Sequence, residues 1–534
     1  MERKIKINPK SYTQTMNTPN LSITEKIGQF FFPAAFINDT DQEVKQIEQL
    51  IQNHKIGGLT FFHSRASAAT NFEEKKTVIR NENSAQRLSE LITHYQSISS
   101  SPLLISIDAE WGLAMRVENT PQYPYAITLG AMPKNQIQWI YEVGKQVGID
   151  LKNMGIHLNL APVADVNTNP NNPVIGYRSF GENKEQVTNT SIAFYNGLKA
   201  SGILGCFKHF PGHGDTEVDS HLGLPVLPAS KQGLYNQELY PFIKAIESKI
   251  DSILIGHLAV PSLSQGKNVS ATLSKDIIKG ILRKELGFEG VVISDALNMH
   301  SVSKLYSKKG VLEWKAFDAG NDILCFAEHV EEGILAIEKN ATNAQIEESF
   351  SRIQKLKENA FKQTTSTAVF DFEKATSINH AIAKQSITYH KADIKSFEKF
   401  TTENFEILVL GTSIDCVFCK EIKKSKYCTA IKDIHSPVSE YTTNNVGIAL
   451  FPPSIKPMQE FGMDAEIKNK VLELSKTKNV ALYLFGNPYA LRILPTKNIT
   501  NIILAYQDFE TFQQVAAQHF VGQHKAVGKS PVQL

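Results

Sequence analysis

Short apolar runs alternate along residues 21–355 with longer segments in which apolar residues recur at helical spacing. The runs are rich in β-branched residues, as buried strands of parallel sheets are. Eight such runs occur: IGQFFFPA (27–34), IGGLTFF (56–62), LLISID (103–108), IHLNLAPVAD (156–165), ILGCFKHF (203–210), SILIGHL (252–258), GVVISDA (290–296) and DILCF (322–326). Eight strands with helices between them predict an α/β fold of the TIM-like (β/α)8 barrel type.

The pattern changes after the predicted barrel. Residues 356–380 lose the apolar period and predict a linker. The runs FEILVLGTS, NVGIALFPPS, NVALYLFGNP and NIILAYQ then predict strands, with amphipathic segments between them. The sequence therefore predicts an N-terminal arm (1–20), a barrel (21–355), a linker (356–380) and a smaller α/β domain (381–534).

Composition narrows the possible partners. Lysine and arginine number 56 against 54 aspartate and glutamate residues, so the chain lacks the basic surplus of proteins that bind nucleic acid or anionic membranes. No run approaches the ~20 apolar residues that a membrane span requires, and the N-terminus has no apolar signal segment. We expect a cytoplasmic protein, or a periplasmic one if the chain has been trimmed. The sequence predicts no oligomeric state.

The five cysteines are too few for a disulfide framework in a chain of this length. Cys206 and Cys325 lie in strand-like runs and are predicted to be buried thiols. Cys416 and Cys419 form a C-x-x-C motif, and Cys428 follows nine residues later. The motif suggests a zinc or redox site, but the absence of a second C-x-x-C or a histidine pair favours structural or incidental cysteines.

Polar residues stand at the ends of several predicted strands, where a (β/α)8 barrel carries its reactive groups. They are Asp108, Asp165, Lys208, His209, His257 and Asp295. Asp295 follows the buried run VVIS, so its charge must be answered by a ligand, a salt bridge or a helix N-terminus. Two roles are therefore open for Asp295: a structural role, or the role of a nucleophile. Arg116 and Arg178 have the donor fork that binds ligand oxygens, although an isolated arginine is more often a surface residue.

The segment 208–221, KHFPGHGDTEVDSH, concentrates titratable groups after the fifth strand. Its proline and glycines predict a loop above the barrel. Asp219 and His221 lie on one side of an extended chain, so the carboxylate can orient the imidazole for proton transfer. Metal binding is the rival interpretation, because the loop also holds other competent ligands. Its H-x-x-x-H spacing crosses proline and glycine and therefore does not fit a helical zinc motif.

This loop, with ISDAL downstream and IDAEWG and GYRSFG upstream, resembles glycoside hydrolase family 3, in particular its two-domain bacterial β-N-acetylglucosaminidases. The resemblance implies that the second domain is an αβα sandwich. It implies that Asp295 is a nucleophile that forms a covalent glycosyl-enzyme, and that His221, oriented by Asp219, is the acid/base. The residues that it implies for binding the sugar hydroxyls and acetamido group are Asp108, Arg116, Arg178, Lys208 and His209.

The implied function is that of a retaining exo-β-N-acetylglucosaminidase that removes terminal GlcNAc from peptidoglycan- or chitin-derived oligosaccharides. Retaining glycosidases usually pair two carboxyl groups, whereas here a histidine with an ordinary pKa near 6.5 takes the acid/base role. Side chains supply the whole chemistry, so we expect no metal and no organic cofactor. Because imidazole does not repel phosphate as a carboxylate does, a β-N-acetylglucosaminide phosphorylase is an alternative, and a non-catalytic glycan-binding barrel is another.

Overall fold

A computed structural model describes residues 21–65, 80–218, 223–362 and 369–534. The described residues form two compact units. The first comprises the residues up to Tyr123 together with Tyr141–Val174 and Val187–Phe372. The second comprises Pro124–Ile140, Ile175–Gln186 and Glu373–Leu534.

Among its described residues, the first unit contains nine short strands. They are β1 (Phe31–Phe32), β2 (Ala34–Phe36), β3 (Gly58–Phe62), β4 (Leu104–Ile107), β5 (Leu158–Asn159), β6 (Leu204–Phe210), β7 (Ser252–Ile255), β8 (Val291–Ser294) and β9 (Leu324–Cys325). Strands β2 to β8 pair in chain order, and every pair is parallel.

The two ends of this sheet meet through β1 and β9. Strand β9 pairs in parallel with β1, and a bridge between Ile293 and Ile323 joins β8 to the residue before β9. Only Pro33 separates β1 from β2, so residues 31–36 act as one interrupted strand that closes the ring. The predicted α/β barrel is therefore confirmed.

The first strand begins later than its apolar run predicts. Ser22 caps the helix Ile23–Gly28 in a capping box with Glu25, so the first residues of the run IGQFFFPA end a helix rather than start a strand. The S-x-x-E signal that specifies this helix is present in the sequence. The strand starts only at Phe31.

Helices connect the strands, and each N-terminus is set locally by a cap or a proline where one is available. The α-helices are Ile23–Gly28, Asp41–His54, Ser84–Ile98, Ala126–Gly130, Ile137–Asn153, Lys184–Ser201, Lys231–Asn236, Tyr240–Glu247, His300–Ser303, Val311–Ala319, Val330–Asn340, Asn343–Phe361, Phe372–Ser386, Ile394–Thr402, Val417–Ile422, Ala465–Thr477 and Glu510–Phe520. Asp276–Glu285 is a π-helix. The 3-10 helices are Leu113–Met115, Lys134–Gln136, Gly176–Arg178, Pro261–Leu263, Ala271–Leu273, Val438–Glu440, Met458–Gly462 and Pro488–Ile493.

Within the predicted linker, residues 356–361 belong to the helix Asn343–Phe361, and residues 372–380 belong to the helix Phe372–Ser386. Residues 363–368 lie outside the described residues.

The second unit contains a six-stranded sheet. Its strands are β10 (Thr388–Lys391), β11 (Phe405–Leu410), β12 (Cys428–Lys432), β13 (Asn445–Leu450), β14 (Asn479–Leu484) and β15 (Asn501–Leu504). The order is β10-β15-β14-β13-β11-β12, with β10 antiparallel to β15 and the other pairs parallel. The four apolar runs form the interior strands. Both edge strands, β10 and β12, are partly exposed and interrupted by polar residues, so no continuous apolar run in the sequence marks them.

Candidate active site

Four strands of the barrel bring polar side chains to their carboxyl ends. Asp108 directly follows β4, Asp295 directly follows β8, and Lys208 and His209 lie near the end of β6. Asp165 stands beyond β5. Because the strands are parallel and closed into a ring, these ends share one rim of the barrel.

Asp108 and Lys208 form the centre of a buried ionic cluster. Lys208 Nζ lies 2.8 Å from Asp108 Oδ1 and 2.7 Å from Glu110 Oε1, and Arg116 Nη2 lies 2.9 Å from Asp108 Oδ2. Only 2% of the Lys208 side chain is exposed. Burial raises the pKa of Asp108, but the charges of Lys208 and Arg116 outweigh burial and hold that pKa well below its usual range. The carboxylate is therefore ionised at any physiological pH.

Arg116 has one donor that no described residue uses. Its Nε is buried and has no hydrogen-bond partner within the described residues, while its guanidinium carbon lies 5.5 Å from the centroid of the Phe62 ring. A buried N–H without an acceptor is costly, so this atom is a natural contact for a ligand oxygen. The sequence singles out Arg116 as a ligand-binding residue, and the structure places it beside Asp108.

A second cluster joins Asp165 to the loop after β6. Asp165 Oδ2 lies 2.7 Å from His209 Nδ1, and Asp165 Oδ1 accepts from the backbone N–H of His213 at 2.7 Å. Burial raises the pKa of Asp165, but His209, His213 and the backbone donors lower it further than burial raises it. The carboxylate fixes the His209 ring with Nδ1 inward, so Nε2 is directed away from Asp165.

His213 is a buried imidazole with one satisfied nitrogen. Its Nδ1 lies 2.7 Å from Thr216 Oγ1, and its Nε2 has no hydrogen-bond partner within the described residues. The rings of His209 and His213 meet edge to face, with 5.9 Å between centroids. Burial lowers the pKa of His213 to about 4, against the opposing charges of Asp165 and Asp295. His213 is therefore neutral at pH 7.

This neutral histidine predicts a pH-dependent stability. The pKa of His213 is about 4 in the folded state, against about 6.5 for an unfolded histidine. The unfolded state therefore binds the proton first, so this contribution to stability is present above pH 6.5 and is lost as the pH falls towards 4. Between pH 7 and pH 5 the loss is about 2 kcal/mol. In urea unfolding at the two pH values, we expect His213→Gln to lose about 2 kcal/mol less than the parent protein. His54→Gln, at the end of a surface helix, is the control and should lose as much as the parent; equal losses in all three proteins would contradict the prediction.

Asp295 directly follows β8 and is held through both its backbone and its side chain. Its N–H donates to the Ile255 carbonyl at 3.0 Å, and its Oδ1 accepts from the Ala296 N–H at 2.8 Å. The next helix begins at His300 and has Met299 as its N-cap, so Asp295 is not a helix cap. The charge of Asp295 raises the pKa of His213, although by less than burial lowers it.

Asp219 and His221 lie outside the described residues, which resume at Gly223. Their acid/base roles therefore stay predictions. For the metal alternative, no group of three or more His, Cys, Asp or Glu side chains within the described ranges is arranged to hold a metal ion.

The other predicted residues have different surroundings. Arg178 ends the 3-10 helix Gly176–Arg178, which belongs to the second unit, and its sugar-binding role stays a prediction. His257, at a predicted strand end, is fully buried, with Nδ1 2.8 Å from Thr272 Oγ1 and Nε2 3.0 Å from the Ala296 carbonyl. Both nitrogens serve the fold, so His257 is structural.

Two residues of the site were not assigned a role from the sequence. Glu110 follows Asp108 by two positions, and the only signal at Asp165 is its place at the end of a predicted strand. Both are buried carboxylates that hold a predicted ligand-binding cation or imidazole in place. In the part of the chain that the structure describes, no helix has the length and apolar character needed to cross a bilayer.

Comparison with known proteins gives a family match over most of the barrel. The model of the glycosyl hydrolase family 3 N-terminal domain matches residues 22–356. β-Hexosaminidase A of Pseudoalteromonas piscicida is 34% identical over 351 residues, which make up 61% of this chain and 57% of that relative. A β-hexosaminidase of Haemophilus influenzae strain PittEE is 29% identical over 333 residues, 60% of this chain and 88% of the relative.

A solved structure is similar over nearly the whole chain. It is the glycoside hydrolase family 3 β-N-acetylglucosaminidase of Paenibacillus sp. strain FPU-7, with a TM-score of 0.76 and 25% sequence identity. The similarity covers 96% of this chain and 99% of that one.

Proposed function

The chain belongs to glycosyl hydrolase family 3, and on that premise we propose that it is a retaining exo-β-N-acetylglucosaminidase. Its substrates are oligosaccharides from peptidoglycan or chitin that end in a β-linked GlcNAc. The observation that carries the proposal is the rim of the barrel, where Asp295, the ionised cluster around Asp108 and the imidazole cluster around Asp165 lie at the carboxyl ends of parallel strands. The names of the β-hexosaminidase relatives support the sugar class.

The first step joins Asp295 to the sugar. The carboxylate attacks the anomeric carbon from the face opposite the leaving group, and the glycosidic C–O bond breaks. The Ala296 N–H, which holds Oδ1, fixes the plane of the carboxylate for this attack. His221 gives its proton to the departing oxygen, and Asp219 stabilises the imidazolium before the transfer.

The second step releases the sugar. His221, now neutral, takes a proton from water, and the water oxygen attacks the anomeric carbon from the face that the leaving group occupied. The ester bond to Asp295 breaks, and the two inversions give net retention of configuration. A histidine suits both transfers because its unperturbed pKa lies near neutral pH.

The ionic cluster binds the sugar ring. Lys208 and Arg116 neutralise Asp108 from two sides, which leaves a rigid carboxylate that accepts from sugar hydroxyls. The buried Nε of Arg116 supplies a donor to a ligand oxygen. His209, oriented by Asp165, adds a further contact through Nε2. Arg178 is the remaining residue of the predicted set, and its contact with the sugar stays a prediction.

The acid/base role of His221 predicts a leaving-group effect. In His221→Ala, the departing oxygen gains no proton, so a substrate whose leaving group is a poor one should lose far more rate than an activated one. We expect kcat/KM to fall about 10³-fold for a GlcNAc disaccharide and less than about tenfold for 2,4-dinitrophenyl β-N-acetylglucosaminide. Steady-state kinetics on both substrates measures the two ratios. Equal losses on the two substrates would rule out this role for His221.

Analysis of the released sugar separates hydrolysis from its alternatives. A GlcNAc disaccharide is incubated with the protein in phosphate-free buffer and in buffer with about 10 mM phosphate, which is ample for a phosphate co-substrate. The proposal predicts that free GlcNAc is released at the same rate in both buffers. Formation of GlcNAc 1-phosphate would identify a phosphorylase. Binding of the disaccharide with no product in either buffer would identify a glycan-binding barrel.

A further inference from the structure

The second unit contains a pair of cysteines one helical turn apart. Cys416 directly precedes the helix Val417–Ile422 and is partly exposed, whereas Cys419 lies in its first turn and is fully buried. Cys416 is the N-cap of the helix and Cys419 is its third residue, so their side chains lie on the same side of its first turn, as the two side chains of a capping box do. Residues three apart across a helical turn have Cα atoms roughly 5 Å apart, which falls inside the range that a disulfide bridges.

The helix that carries the pair is held firmly in place. The Phe418 N–H donates to Gln513 Oε1 at 3.1 Å, on the helix Glu510–Phe520. The Phe418 ring lies 5.4 Å from Tyr483 and 5.3 Å from Phe485 between ring centroids. The backbone between the thiols is therefore fixed by packing, and rotation of the two side chains is the movement that a bond between them needs.

The two thiols differ in acidity in the way that thiol–disulfide exchange requires. The hydrogen bond from the Cys419 thiol lowers the pKa of Cys416 to about 7, and the charge of Lys420 acts in the same direction. The same hydrogen bond, together with burial, raises the pKa of Cys419. At pH 7 about half of the Cys416 thiol is thiolate, the nucleophilic form, whereas the buried Cys419 keeps its proton.

We propose that Cys416 and Cys419 are a reversible dithiol/disulfide site that reacts with low-molecular-weight disulfides. The Cys416 thiolate attacks one sulfur of a disulfide RSSR, which forms a mixed disulfide and releases RS⁻. Cys419 loses its proton to solvent and attacks Cys416 Sγ, which releases a second RS⁻. The two cysteines are oxidised by two electrons, and RSSR is reduced to two thiols.

The neighbouring cysteine, Cys428, is the matched control. It is partly buried on the edge strand β12, with Sγ 3.9 Å from the Ala430 carbonyl, and burial raises its pKa. In the described part of the chain no three metal-ligating side chains gather around these cysteines, which favours thiol exchange over a zinc site. Cys206 and Cys325 are buried in the barrel with pKa values of about 12, and they serve as unreactive internal references.

Mass spectrometry on the full chain tests the site. The protein is equilibrated with mixtures of reduced and oxidised glutathione, quenched with acid, alkylated and digested with trypsin. Residues 400–420 form one tryptic peptide that holds both Cys416 and Cys419, whereas residues 427–432 hold Cys428. We expect the first peptide to lose two hydrogens as the proportion of oxidised glutathione rises, and to regain them on reduction, while the peptide with Cys428 stays reduced.

Variants make the outcome decisive. Cys419→Ser should trap a stable glutathione adduct on Cys416, and Cys428→Ser should behave as the parent does. With iodoacetamide at pH 7, Cys416 should react about tenfold faster than Cys428, because its thiolate fraction is larger. The proposal is wrong if peptide 400–420 stays reduced at every glutathione ratio, if Cys416 pairs with Cys428, or if the adduct on Cys416 persists in the parent protein.

Discussion

Replacing Asp295 by alanine is expected to lower kcat for an aryl β-N-acetylglucosaminide by at least about 10⁴-fold, since the covalent intermediate can then no longer form. The fold should survive, because the backbone N–H of residue 295 donates a hydrogen bond to the Ile255 carbonyl, and alanine retains this donor. Circular dichroism and urea unfolding check the fold, and steady-state kinetics checks kcat. The loss should be equally severe for good and poor leaving groups.

Asp251→Asn is the control for this experiment. Asp251 directly precedes β7, at the amino end of the strand, and accepts from the Tyr195 hydroxyl at 2.7 Å. Loss of this carboxylate should lower stability and leave kcat within about twofold, because that rim of a barrel serves stability rather than chemistry. If Asp295→Ala kept more than a hundredth of the parent kcat, about 2.7 kcal/mol in the barrier, the nucleophile would have to be another residue.

Replacing Lys208 by methionine is expected to damage both stability and substrate binding. The variant removes the cation that Asp108 and Glu110 share, and removal of one partner from a buried ion pair costs about 3–5 kcal/mol. Asp108, whose side chain is 17% exposed, keeps its ion pair with Arg116, so most of this cost arises at Glu110, which is 7% exposed. Because we propose that Lys208 holds the Asp108 carboxylate for the sugar hydroxyls, its loss should lower kcat/KM by about 100-fold. Urea unfolding and steady-state kinetics measure the two effects.

The chain offers a matched buried lysine for comparison. Lys357 is 1% exposed, but its Nζ donates to neutral acceptors, Gln29 Oε1 at 2.7 Å and the Pro102 carbonyl at 3.0 Å. Burial lowers the pKa of Lys357 to about 7. Lys357→Met removes no carboxylate's cation, so it should lower the free energy of unfolding less than Lys208→Met does and leave KM unchanged. Equal effects of the two variants on stability and KM would contradict the role given to Lys208.

The barrel could be predicted because its strands are buried on both faces and therefore appear as apolar runs. The same reasoning located Asp108, Lys208 and His209, since a charged residue at the end of a buried strand needs a partner or a ligand. The structure joins Asp108, Arg116 and Lys208, which the family resemblance selected, in one ionic cluster, and their sugar-binding role stays a prediction.

The parts that could not be predicted depend on contacts between distant segments. Asp165 and His209 stand 44 residues apart, and nothing local marks their 2.7 Å contact. Lys208 has two carboxylate partners, and the pattern alone does not select Glu110 as the second. The edge strands β10 and β12 lack an apolar period because solvent covers part of each.

The covalent intermediate itself can be trapped. An activated, ring-fluorinated GlcNAc derivative forms the glycosyl-enzyme faster than water can release it, and tryptic digestion then locates the attached sugar by mass. Residues 285–304 form the tryptic peptide that contains Asp295. We expect the sugar on Asp295 in this peptide and no label in Asp295→Ala. A label on a different residue, or a product of inverted configuration from the unfluorinated substrate, would contradict a double displacement at Asp295.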